Sequence, residues 1–197
     1  MDRAFDRSLK TLTRSGLLAW PTDTTWGLLA RADRPEAVAR IYEVKRRPRS
    51  KPLQLLVADL ETARTLVAPG PWSQRFERLA SAFWPGGLTI VAPASPAAPA
   101  ACVHEGKVGL RLPDDPELRR LLAGVGGYAA ATSLNPSGDA PVLQYRDALR
   151  YADWVDRIHP GESGGRPAST VVDIQTGRLL REGAIPAAEV ARLLEEA

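Results

Sequence analysis

The sequence predicts an α/β fold: a single domain built on a twisted, mixed-direction sheet with flanking helices. Three observations carry this. Short apolar runs of strand length recur along the chain, separated by segments of helical periodicity. Those runs do not alternate strictly strand–helix–strand, so a wholly parallel sheet is not implied. Finally, 197 residues at 44% hydrophobic content suffice for one well-buried core and are few for two ordinary ones. No internal repeat and no linker of different composition interrupts the chain, so residues 1–197 read as one unit.

Phe5, Leu9 and Leu12 fall at helical spacing, which predicts a helix over 2–15 closed by Gly16. Leu17–Trp20 follows as a short apolar strand. Asp33 and Pro35 mark a helix start, and the helix runs through Val38, Ile41 and Tyr42 to Lys45, with Pro48 as its stop. Leu53–Val57 reads as a buried strand, and 59–67 and 72–83 as helices. Leu88–Ala92 is a strand leading into a Pro/Ala-rich surface loop. Val108–Leu112 is a further strand, Asp114 opens a helix through Leu122, and Tyr128–Thr132 is a strand of small residues. A helix over 144–152 precedes strands at Trp154–Ile158, Thr170–Ile174 and Arg178–Arg181, and a last helix begins near Pro186.

Composition removes several function classes. One cysteine excludes a disulfide framework and any multi-cysteine metal site, and two histidines, His104 and His159, leave little for a histidine relay. The N-terminus has no apolar signal core, which predicts a cytoplasmic address. Leu79–Val103 carries no charge over 25 positions, but Pro85, Pro93, Pro96 and Pro99 would break a spanning helix repeatedly. No Gly-x-x-x-x-Gly-Lys-Ser/Thr loop and no Gly-x-Ser-x-Gly elbow occurs. Cys102 and His104 could pair as thiol and base, though a Pro/Ala-rich loop is a poor place for them. Of the 26 basic residues 22 are arginine, while the net charge is only +3. Most of that excess reads as solvated surface.

Four segments carry more polar chemistry than folding asks for. Pro21-Thr22-Asp23-Thr24-Thr25-Trp26-Gly27 sits between two apolar strands; turn chemistry explains its Pro, Asp and Gly but not its three threonines. Lys45–Lys51 holds five cations in seven residues. A helix C-terminus accounts for Lys45 and Arg46, and phosphate is the natural partner for the rest. Ala131–Gly138 offers hydroxyls, an amide and a closing glycine at a strand end, either a common loop or a nest for an anion. Gly164–Thr170, with Arg181 on the next segment, allows a close backbone approach to a ligand, although taken alone it reads first as a tight turn between strands.

In this order the segments resemble the YrdC-like family of threonylcarbamoyl-AMP synthases, the TsaC type, over about residues 6–190. The resemblance rests on Pro21-Thr22-Asp23-Thr24 with Trp26-Gly27-Leu28, on Lys45-x-Arg47-Pro48 with Lys51-Pro52-Leu53, and on Trp84-Pro85-Gly86-x-Leu88-Thr89. It continues through Val108–Pro113, Thr132-Ser133-x-Asn135-x-Ser137-Gly138, Ser169–Asp173 and Arg181-x-Gly183-Ala184-Ile185. It implies a sheet around a concave, positively lined cavity. The implied reaction joins ATP, L-threonine and bicarbonate into L-threonylcarbamoyladenylate with release of pyrophosphate, for N6-threonylcarbamoylation of adenosine 37 in tRNA.

Carried over residue by residue, the resemblance implies threonine contacts from Thr24, Arg111, Ala131 and Ser169. Arg47 and Lys51 would hold the ATP phosphates as the catalytic cations, and Ser133 and Arg181 would face the nucleotide. Lys45 and Asn135 match the family's pattern on the ATP side. Mg²⁺ would travel with the phosphates, its protein ligands unassigned. tRNA and downstream threonylcarbamoyl-transfer proteins are implied partners, and no membrane is. The substrate supplies its own nucleophile, so the site needs charge and placement rather than a catalytic serine, cysteine or histidine.

Four positions depart from the family: Leu56 where many members have histidine near threonine, Leu134 as a bulkier residue beside the nucleotide, Trp26 for tyrosine, and Gly87 for proline. Two alternatives stand beside the synthase. A basic cavity of this kind could hold double-stranded RNA or tRNA without synthase activity, and such binding would fall steeply with salt. The hydroxyl set Thr24, Ser133 and Ser169 suits a small amino-acid pocket and is not required for RNA. A carbamoyl-transfer relative lacks support, because no zinc-finger or acylphosphatase-like segment is present.

Overall fold

Asp2 starts the first helix by accepting from Ala4 N at 2.8 Å, an N-cap that satisfies an otherwise free amide. From there the computed structural model describes residues 2–195. Helix α1 (Arg3–Thr13) leads to strands β1 (Leu18–Pro21) and β2 (Trp26–Ala30), then α2 (Pro35–Lys45) and β3 (Gln54–Val57). Helices α3 (Leu60–Leu66) and α4 (Ser73–Phe83) precede β4 (Leu88–Pro93), β5 (Lys107–Arg111), α5 (Pro116–Ala123) and β6 (Tyr128–Ser133). The chain closes with α6 (Tyr145–Ala148), β7 (Arg157–Ile158), β8 (Thr170–Asp173), β9 (Arg178–Arg181) and α7 (Ala187–Glu195).

The strands form one nine-stranded mixed sheet in the order β7-β1-β2-β6-β3-β5-β4-β8-β9. The pairs β1–β7, β3–β5 and β4–β8 are parallel and the remaining neighbours antiparallel. Strand periodicity then sorts the side chains by face. Leu55, Val57, Leu88, Ile90, Leu110 and Val172 enter the main core, which also takes Val38 and Ile41 of α2, Leu66 of α3, Phe76 and Leu79 of α4, and Val190 of α7. Leu18, Trp20, Leu29, Leu56 and Ala129 point to the opposite face, where α1 (Phe5, Leu12) and α5 (Leu118, Leu121, Leu122) cover them. That second cover ends near β3 and β6. The same face of β5, β4 and β8 is left open, and this is what makes a concavity.

Several expected elements change at their ends. α5 is capped by Asp115 rather than Asp114: Asp115 Oδ1 accepts from Leu118 N at 3.0 Å, and Pro116 occupies the first turn. Residues 144–152 break into the single turn of α6 followed by a 3₁₀ turn at Leu149–Tyr151. The strand expected over 154–158 shrinks to Arg157–Ile158, because Trp154 turns outward and stacks edge-on against Tyr151. The Pro/Ala-rich loop after β4 holds a 3₁₀ turn, Ala100–Cys102, whose Cys102 enters the core instead of the surface. α2 stops at Arg46 in the left-handed conformation (φ 49°), two residues before Pro48.

Candidate active site

The open half of the second face is a cavity of about 720 Å³. Its floor is the outward register of three strands: Thr89 and Val91 of β4, Lys107, Gly109 and Arg111 of β5, Val171 and Asp173 of β8. Its rim comes from the Thr24–Thr25 turn, the 47–54 segment, Ala131–Ser133, Ala168–Ser169 and β9 with Arg178 and Arg181. Polar alternation in Lys107-Val108-Gly109-Leu110-Arg111 is the sequence signal for that floor; Lys107 and Asp173, 2.6 Å apart, were not among the residues expected at the site.

Arg111 is the deepest charge. Nη2 donates to Asp23 Oδ1 at 2.7 Å, Nη1 to Thr24 Oγ1 at 2.9 Å and Nε to Gly86 O at 2.9 Å. Three acceptors from two segments therefore fix the guanidinium plane. Burial weakens its hold on the proton, and the Asp23 carboxylate opposes that loss. Asp23 Oδ2 is buried with no partner. The β1–β2 turn is locked from within, Thr22 Oγ1 meeting Thr25 O at 2.7 Å and Thr24 Oγ1 at 3.1 Å.

Across the floor, Ser169 Oγ lies 2.7 Å from Thr89 Oγ1, which donates to Gln54 Oε1 at 2.7 Å. Arg181 Nη2 donates to Ser169 O at 2.7 Å and reaches Ser169 Oγ at 3.1 Å. Arg47 folds back on its own loop, Nε to Lys51 O and Nη2 to Pro52 O, both at 2.9 Å. Burial lowers the affinity of Arg181 for its proton, and repulsion from Arg111 and Arg47 lowers it further. Three guanidinium groups thus face one space without enough carboxylate to balance them: the lining carries Arg47, Lys51, Lys107, Arg111, Arg178 and Arg181 against Glu105 and Asp173. Such a set is arranged for a polyanion.

Of the expected residues, Thr24, Arg47, Lys51, Arg111, Ala131, Ser133, Ser169 and Arg181 all line this one cavity. Lys45 and Asn135 stand behind its wall, buried and bonded to each other at 3.1 Å. Thr89, Gln54 and Asp23 were missed, since their partners lie far off in sequence. Cys102 and His104 do not form a pair. The thiol is in the main core, where burial pushes it up to about 12, while His104 stands exposed at the rim.

The departures also resolve. Leu56 is packed in the second cluster opposite Ala129, so that wall is apolar. Leu134 is not beside the cavity: strand alternation turns it into the main core, with its amide bonded to Trp26 O at 2.7 Å. Trp26 is in that core too, stacked on Tyr145. Gly87 has a steric reason, because a Cβ there would come within 2.6 Å of Ala184 Cβ.

A mixed sheet with helices covering one face and half of the other, and a cationic, hydroxyl-lined hollow over the uncovered half, defines an α/β protein built to hold a polyanionic ligand beside a small polar one. The chain belongs to the Sua5/YciO/YrdC family, whose model, described as "Telomere recombination", matches residues 10–183. It is 35% identical over 176 residues to the threonylcarbamoyl-AMP synthase of Marinobacter nauticus, covering 87% of this chain and 92% of that one. The Hahella chejuensis protein of the same name is 34% identical over 180 residues, 89% of this chain and 96% of that one. The crystal structure of P. abyssi Sua5 complexed with L-threonine superposes with a TM-score of 0.87 at 31% identity, over 96% of this chain; the chain spans 56% of that protein.

Proposed function

We propose that this protein condenses ATP, L-threonine and bicarbonate into L-threonylcarbamoyladenylate and pyrophosphate. The observation that carries the reading is the cavity itself: Arg47, Arg111 and Arg181 converge on one space with a triad of hydroxyl and amide groups, Thr89 on its floor between Ser169 and Gln54 of its rim. Curated relatives named for this activity, similar over nearly their whole length, support it.

Threonine's amine and bicarbonate form a carbamate with loss of water, and a carbamate oxygen attacks the α-phosphorus as the bond to pyrophosphate breaks. No protein nucleophile takes part. Thr24, Arg111, the Ala131 backbone and Ser169 orient threonine. Arg47 and Lys51 take the phosphates and offset the charge that grows on the leaving group. Ser133, beside the 47–54 segment, and Arg181, on β9, hold the nucleotide.

Among the described residues no group of three histidine, cysteine or carboxylate side chains is placed to hold a metal ion. Asp173 is the floor's one carboxylate, and Lys107 already engages it. This donor set fits a Mg²⁺ carried on the phosphates with water as its other ligands. Among the described residues no helix is long and apolar enough to cross a membrane. The product would pass, in the cytoplasm, to proteins that move the threonylcarbamoyl group to adenosine 37 of tRNA.

The test is pyrophosphate release by the purified chain. Release should require ATP, threonine and bicarbonate together. Release that ignores threonine, or none with all three present, overturns the reading; salt-sensitive RNA binding without release would put an RNA-holding module in its place. Arg181→Ala should weaken ATP binding by about 1.5–3 kcal/mol, roughly 10- to 150-fold, read by calorimetric titration.

A further inference from the structure

Behind the Ser133 rim lies a buried cation that the reaction as described does not use. Lys45, the last residue of α2, is 2% exposed, and the charged neighbour that acts on it is another cation, Arg47. Its Nζ donates to Ser133 O and Asn135 O, each at 2.5 Å, and to Asn135 Oδ1 at 3.1 Å. Its own carbonyl accepts from Ser137 N at 3.0 Å. Asn135 is held in turn, Nδ2 donating to Pro136 O at 2.9 Å and Asp139 O at 2.7 Å, and Oδ1 accepting from Ser133 Oγ at 2.5 Å. An ammonium has three protons, and here each has an acceptor. Reaching a phosphate would take from Asn135 O the ammonium that satisfies it, and would leave Ser133 O and Asn135 Oδ1 with one donor each, Asn135 N at 3.1 Å and Ser133 Oγ.

We propose that Lys45 is a positioning residue: it fixes the 133–138 loop, and through it the Ser133 side chain at the cavity rim, without touching the nucleotide. This rests on the reading that the cavity takes ATP. It moves Lys45 and Asn135 from ligand contacts to the support of a contact. A neutral amine offers two N–H groups to the same three acceptors, so the loop should loosen where Lys45 loses its charge. Burial first, then Arg47, brings that to about 8. Arg47 itself stays charged throughout that range.

The experiment uses the full chain as wild type, Lys45→Met, Ser133→Ala and the double variant at pH 7. The probes are ATP and inorganic tripolyphosphate, and amide hydrogen exchange over 133–138 is followed in parallel. Lys45→Met should weaken ATP about tenfold and tripolyphosphate less than about twofold, and speed exchange in the loop at least about tenfold. Ser133→Ala should add little to Lys45→Met, since both act through one contact. Equal losses for ATP and tripolyphosphate, or additive losses in the double variant, would show Lys45 on the phosphates and overturn the proposal.

Should Lys45→Met fail to fold, the wild type decides. Between pH 7 and 9.5 its ATP affinity and its loop protection, corrected for base-catalysed exchange, should fall together through about pH 8. A flat profile in both overturns the proposal. If the wild type binds no ATP at all, the synthase reading fails, while loop exchange still decides what Lys45 holds.

Discussion

Arg111 and Asp23 show how a single buried pair joins folding to binding. Arg111 is 3% exposed and its carboxylate partner comes from a turn 88 residues earlier. Removing that partner leaves an uncompensated charge in the interior. Asp23→Ala should cost about 3–5 kcal/mol in urea unfolding, and Asp23→Asn, which keeps an acceptor, less. A loss under about 1 kcal/mol for the alanine variant would mean that water reaches the guanidinium. Arg111 was legible in the sequence because it stands in a distinctive strand motif. Asp23 was readable as a turn former or as a carboxylate gripping a polar ligand, but not as the partner of Arg111, since nothing local marks that pairing. The same holds for Thr89, whose hydroxyl meets Ser169 from 80 positions away.

At the level of elements, caps and alternation were the strongest local signals, and they failed where side chains from elsewhere intervened. Asp114 and Asp115 look alike as helix starts. Asp115 wins because its second oxygen accepts from the Trp20 indole at 2.9 Å, tying α5 to β1. Asp115→Ala should lose about 1 kcal/mol from the cap and a further 1–3 kcal/mol, roughly, from the stranded indole. Thermal unfolding followed by tryptophan fluorescence would measure it, and Asp114→Ala is the control expected to change little. The strand expected at 154–158 was a run of suitable residues with no neighbour to pair. β1 offers β7 a register of two residues, Leu18 with Arg157 and Ala19 with Ile158.

For the whole molecule, the central strands bury one face in the main core and open the other to the cavity, and two substitutions at adjacent positions on β5 expose the division. Leu110→Ala, in the main core, should cost about 2–5 kcal/mol and leave the ATP affinity of the folded fraction unchanged. Gly109→Leu should do the reverse. A Cβ at 109 meets only ordinary contacts, 3.6 Å from Thr89 Cγ2 and 3.7 Å from Gln54 Cβ, and the rest of the side chain then fills the cavity floor. ATP binding lost with Tm nearly preserved is the expected result; a large fall in Tm would show that the floor is not open.

The sequence by itself determined the strand and helix inventory to within a few residues and the cationic and hydroxyl segments, because these depend on local periodicity and residue type. Only the tertiary structure decided which side of the wall each residue occupies. It turned Leu134 into the core, set Lys45 and Asn135 behind the rim, and parted Cys102 from His104. The reason is geometric: a one-residue step along a strand reverses the face, and which face stays open depends on where α1 and α5 stop covering the sheet.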